Sequence, residues 1–277
     1  PSIQAHNTNM LPTPIHNSRN NSSFTLVDSS MNGYGLIASN TRPIVKTDDD
    51  NWFITYRQFA GFNTTHGQLG AAWSDDGIDW VRYNNLNLND ASGSGMARYP
   101  SSMASDEFPF SVWNEYTNNP GPPYGGRPYY TYDEFYWEGG SFTEPIDMDF
   151  SWTTLKDLWV SSAEMSYDED SEMYVANVAY QDWTREGRWL FHSEVYEDGF
   201  LVFGEEIQII DEIGCLSYDP ASDGSFNTPP AISMTPDGLG IVGVIGLFAG
   251  ADEDLSTINN DHTAIFKMTD NHGAGWY

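Results

Sequence analysis

Cysteine is almost absent from this chain of 277 residues. The single one, Cys215, cannot form an internal disulfide, so packing and hydrogen bonds must hold the fold. Basic residues are scarce too: three lysines and eight arginines face 40 acidic residues, for a formal charge of −29. Without a basic surface there is no counterion release to drive nucleic-acid binding, and an anionic membrane surface repels such a chain. No run of about 18 apolar residues occurs, which excludes a membrane-spanning helix. Helical periodicity is nearly missing. There is no phosphate-binding Gly-Lys-Ser/Thr loop, no Gly-x-Ser-x-Gly elbow and no dinucleotide fingerprint. Six histidines are scattered without a close pair, so a zinc site has no support.

What is abundant is aromatic. Ten Trp, 16 Tyr and 15 Phe need a core or a ligand to cover them, and they exclude intrinsic disorder despite the charge. The charge itself suits surroundings where cations screen self-repulsion. The chain begins at Pro1 with no targeting segment, which reads as an extracellular or cell-surface chain whose signal peptide has been removed. Residues 1–23 are rich in Asn, His, Pro and Thr and read as an extended arm or linker, through which copies could self-associate.

Four hairpin-like stretches share one pattern of strand, acidic turn and aromatic or β-branched strand: 42–56, 98–113, 158–178 and 229–245. Taking Asp48, Asp106, Asp168 and Asp237 as turn markers, the spacings are 58, 62 and 69 residues. A second pair of short strands follows each. Four short strands per unit, with Gly, Asp, Asn and Pro at the junctions, predict an all-β chain built as a β-propeller. The expected blades span roughly 42–85, 98–145, 157–208 and 229–277 of a 24–277 propeller region, and four visible blades could belong to a larger propeller. A β-sandwich is the alternative, but it gives no reason for a recurring unit.

Two turns carry the most specific motif. Ser74-Asp75-Asp76-Gly77-Ile78-Asp79-Trp80 follows one predicted strand, and Thr269-Asp270-Asn271-His272-Gly273-Ala274-Gly275-Trp276 follows another. The expected roles are Ser74 and Asp76 bonding turn amides, Gly77 at positive φ and Trp80 packing back on the hairpin, with Thr269, Asp270, Gly273 and Trp276 as counterparts. In the second copy Asp270 stands one place early unless the turn is longer. Both resemble the Asp-box, a Ser/Thr-x-Asp-x-Gly-x-x-Trp turn found in sialidase-like (BNR-repeat) β-propellers. Arg42-Pro43-Ile44 and the strands up to Trp80 also resemble a sialidase first blade. The resemblance implies that Arg42 would grip a substrate carboxylate bidentately, and Arg98 holds the same slot in the second unit. The family's later Tyr–Glu nucleophile pair and loop Asp acid have no counterpart here.

Two further candidates come from the residues alone. In 118–137, three prolines stiffen a loop in which Tyr124, Tyr129, Tyr130 and Trp137 could stack on sugar rings while Arg127 bonds hydroxyls or a carboxylate; the alternative is packing between blades. The acidic turns containing Asp48, Asp50, Asp168 and Asp170 could hold calcium, although solvated hairpin tips explain them as well. No cofactor is required by this reading. The leading expectation is a non-catalytic recognition or adhesion propeller that binds a glycan or a surface protein. The alternatives are a sialidase-like glycoside hydrolase and a structural subunit of a surface assembly.

Overall fold

The computed structural model describes residues 24–28, 41–58, 67–87, 96–117, 125–149, 158–182, 188–210, 229–247 and 262–277. Among these, strands and turns occur and no helix does. The first sheet holds β1 (Ile44–Lys46), β2 (Trp52–Gln58), β3 (Gln68–Ser74) and β4 (Val81–Asn84) in chain order. The second repeats the order with β5 (Met96–Ala104), β6 (Pro109–Thr117), β7 (Gly125–Tyr132) and β8 (Ile146–Asp147). The third holds β9 (Leu158–Asp168), β10 (Met173–Asp182), β11 (Arg188–Glu194) and β12 (Ile207–Ile210). The fourth has three strands, β13 (Ala231–Met234), β14 (Gly240–Leu247) and β15 (His262–Thr269).

Every paired strand is antiparallel to its neighbour, so each sheet is a simple meander. First strands touch first strands, β1 with β5, β5 with β9 and β9 with β13, whereas β4, β8 and β12 make their main contacts within their own sheets. First strands therefore line the inside and fourth strands the rim, which is the blade arrangement of a propeller.

Three hydrophobic clusters fill the three gaps between consecutive sheets. Phe53 and Leu69 of the first sheet meet Trp113 and Tyr129 of the second. Phe110, Val112 and Tyr130 of the second meet Val178, Tyr180 and Phe191 of the third. Leu190 and Ile209 of the third meet Ile232 and Val242 of the fourth. The two-residue period of a strand explains this division: on β6, Val112 and Trp113 are adjacent and point into different gaps. Both faces of the middle sheets are thus buried. The far face of the first sheet receives residues 24–28, where Tyr56 Oη donates to Asp28 and the Arg82 guanidinium donates to the Leu26 and Val27 carbonyls. The far face of the fourth sheet leaves Ile241, Ile245, Phe266 and Met268 exposed.

Polar contacts tie the inner strands together. Ser102 donates its amide to the Arg42 carbonyl at 2.7 Å and its hydroxyl to the Pro43 carbonyl at 2.7 Å. Ser162 on β9 similarly accepts from the Ile232 amide at 2.9 Å.

Candidate functional site

The site is built where the first strands begin. Arg42 lies just ahead of β1, its amide donating to Ser101 Oγ at 3.1 Å and its carbonyl held by Ser102. With its backbone fixed from both sides, the side chain reaches past β5 to Glu164 on β9 and forms an ion pair two blades away. The two partners differ in environment: the Arg42 side chain is 42% exposed and that of Glu164 only 7%. Partial burial lowers the guanidinium from its ordinary value, and it remains charged.

Next to this pair β5 is irregular. Its register with β6 shifts between Arg98 and Ser101, and Tyr99 within the bulge adopts φ of 52°. A bulge of this kind re-aims side chains. The Tyr99 ring meets Trp159 of β9 with centroids 5.4 Å apart at 51°. Both residues are half-buried, so each ring keeps part of its surface to solvent. Arg98, opposite Asn114, is also half-buried. The innermost strands therefore combine a guanidinium, a carboxylate and two aromatic rings. Glu164, Tyr99 and Trp159 were not singled out by sequence. The β-bulge leaves no motif, and the ion pair depends on how three sheets are stacked.

The aromatic platform expected in 118–137 is corrected by the structure. Tyr129 is buried against Trp113 with ring centroids 6.2 Å apart and nearly parallel, and burial pushes its phenol up to about 12. Tyr130 is fully buried and donates its hydroxyl to the Leu201 carbonyl at 3.1 Å. Trp137 meets Phe53 edge-on, and its indole donates to the Asp106 carbonyl at 2.7 Å. These rings fill the gaps between blades and offer no face to a sugar. Arg127 is fully buried, with Nε and Nη2 donating to Asp147 at 3.2 and 3.1 Å and Nη1 to Asp149 at 3.1 Å. It neutralises two buried carboxylates within the fold and is not a ligand-binding arginine. Tyr124 lies outside the described residues.

The acidic turns serve the hairpins. Asp50 pairs with Lys46 at 2.5 Å, while Asp168 accepts from the Asp170 amide at 2.9 Å and the Ser171 hydroxyl at 2.8 Å. Among the described residues no three His, Cys, Asp or Glu side chains converge on a position that could hold a metal.

The two motif turns have closely similar wiring. After β3, Ser74 Oγ accepts from the Gly77 amide at 2.8 Å and Asp76 accepts from the Ile78 and Asp79 amides at 2.7 and 2.8 Å, with Gly77 at φ of 70°. After β15, Thr269 Oγ1 accepts from the Gly273 amide at 3.1 Å, and Asn271 accepts from the Gly275 amide at 2.9 Å. Asn271 thus performs the role expected of Asp270, which is exposed, and the turn is one residue longer, with Gly273 at φ of 92°. Trp276 packs on the cluster between the third and fourth sheets. Trp80 is half-buried.

No protein-family model matches the chain, and no curated protein matches it. Solved structures do. An endo-arabinase from Bacteroides thetaiotaomicron VPI-5482 is similar with a TM-score of 0.52 and 10% identity, over 92% of this chain and 82% of that one. A Trypanosoma rangeli sialidase is similar with a TM-score of 0.50 and 12% identity, over 85% of this chain and 37% of that one. The chain is a β-propeller. At such identities the likeness to these structures, including the sialidase, is one of fold, and the roles of the propeller's residues rest on its own geometry.

Proposed function

We propose that this propeller recognises neutral carbohydrate at the open end of its innermost strands and does not hydrolyse it. The observation that carries the reading is that the Arg42–Glu164 ion pair and the Tyr99–Trp159 ring contact both lie on those strands. Sugar hydroxyls need both donors and acceptors, which the guanidinium and carboxylate supply, and the apolar faces of a sugar ring stack on aromatic side chains. An acidic sugar fits less well. Its carboxylate would have to displace Glu164 from Arg42 and approach a chain with a formal charge of −29. That the similar structures are an endo-arabinase and a sialidase agrees with a carbohydrate ligand.

Glycoside hydrolysis calls for two carboxyl groups acting together across the scissile bond. Among the described residues the buried carboxylates are engaged within the fold: Glu164 faces Arg42, Glu115 accepts from the Trp113 indole at 2.7 Å, Asp149 together with Asp147 faces Arg127, Asp133 accepts from the Phe135 and Ser141 amides at 3.1 and 3.2 Å, and Asp182 is likewise partnered. Asp147, pushed up to about 6 by burial, lies on the outermost strand β8. The setting we infer is extracellular or cell-surface, where a strongly acidic recognition module meets soluble or displayed glycans.

A glycan array paired with a hydrolysis assay on the bound glycans tests the reading. Binding to neutral glycans without turnover is expected. Binding confined to sialylated or uronic glycans, or turnover of any bound glycan, would overturn it.

A further inference from the structure

At the opposite end of the inner strands a cavity opens between the second and third blades. It has a volume of about 970 Å³ and is lined by the β5–β6 turn, the start of β10 and the turn after β11. Its walls present Phe108, Tyr167, Tyr174, Tyr196 and Phe200, with Tyr196 45% exposed. The floor joins the two blades: Asp106 lies close enough to the Tyr174 hydroxyl to raise its pKa, and the Tyr167 and Tyr174 rings meet at 5.0 Å. The Ser105 hydroxyl accepts from the Phe108 amide at 2.9 Å and sets the turn that carries Asp106. Asp106, Glu107, Glu172, Glu197 and Asp198 also line it, with neither lysine nor arginine among the lining residues.

We propose that this cavity binds an oligosaccharide bearing free, protonated amino groups. Aromatic faces beside carboxylates suit a cation carried on a ring: the ammonium gains from both ion pairing and the aromatic quadrupole, and the sugar face stacks. A lone lysine side chain would leave most of the cavity empty, whereas two or three sugar rings are of the size such pockets hold. The inference shares only the ligand class with the preceding reading. Its site is separate: none of Arg42, Glu164, Tyr99 and Trp159 lines this cavity, so failure of either site leaves the other standing.

The probe is a glucosamine tetramer, titrated calorimetrically at about pH 5.5, where amines are charged and most carboxylates ionised. Its N-acetylated counterpart and tetralysine are the comparison ligands. Tyr196→Ala should weaken binding of the amino tetramer by about fivefold or more. Glu172→Gln with Glu197→Gln should weaken it further, while Asp75→Asn with Asp79→Asn, the same charge change in the exposed turn after β3 of the first blade, should alter it less than about twofold. The acetylated tetramer should bind at least about tenfold more weakly. Melting curves close to wild type establish that the variants are folded. Equal binding of the acetylated tetramer, equal effects of Asp75→Asn with Asp79→Asn and of the double cavity variant, or tetralysine binding as tightly and insensitive to Tyr196→Ala would each overturn the proposal.

Discussion

Asn271 does in the turn after β15 what Asp76 does in the turn after β3. Each side-chain oxygen accepts backbone amides of its own turn, at 2.9 Å for Asn271 and at 2.7 and 2.8 Å for Asp76. An amide oxygen replaces a carboxylate oxygen, and one extra residue is absorbed because His272 and Gly273 both adopt positive φ.

Asn271→Ala should therefore cost about 1 kcal/mol of stability, the usual value for one such hydrogen bond. Asp270→Ala, on an exposed residue, should stay within about 0.5 kcal/mol. Urea denaturation of the two variants checks the order. A larger loss for Asp270→Ala would return the turn to the sequence-based assignment.

Arg127 is expected to behave as a structural cation. Arg127→Met leaves Asp147 and Asp149 buried without their counter-charge and should cost about 3–5 kcal/mol. Guanidinium denaturation of this variant measures the loss. A variant of near wild-type stability with selectively impaired glycan binding would reinstate Arg127 as a ligand-binding residue.

Two buried groups give opposite pH responses. Burial raises Asp147 to about 6, so the folded state holds that proton more tightly than the unfolded chain does. Its contribution to stability therefore grows as pH falls from above 6 towards 4 and is level outside that window. His192 is lowered by burial, so the folded state holds its proton less tightly and stability is lost as pH falls below about 6.5. Stability measured from pH 7 to 4 should rise less steeply, or fall more steeply, on acidification in Asp147→Asn than in wild type. Parallel profiles would contradict the placement of Asp147.

The repeat was legible because it is local. Asp48, Asp106, Asp168 and Asp237 mark the turn after the first strand of each sheet, as their spacing suggested. Strand alternation was readable in the same way, but which gap each face fills was not. Tyr129 and Tyr130 lie in an aromatic loop-like stretch that a sequence cannot distinguish from a binding platform until the neighbouring sheets are present. Arg42 was visible from its motif. Its partner Glu164 was not, because the pair joins the first and third blades. Nor was the Tyr99–Trp159 contact, which depends on a bulge where a non-glycine residue takes positive φ.

Carbohydrate recognition at the inner strands is tested most directly by following the Trp159 indole N–H and the Arg42 Nε–H resonances by NMR as a pool of neutral oligosaccharides is titrated in. Both resonances should shift saturably, and in Glu164→Gln the shifts should require at least about tenfold more ligand. Resonances that stay fixed at saturating sugar, or shifts unaltered in Glu164→Gln, would contradict the site.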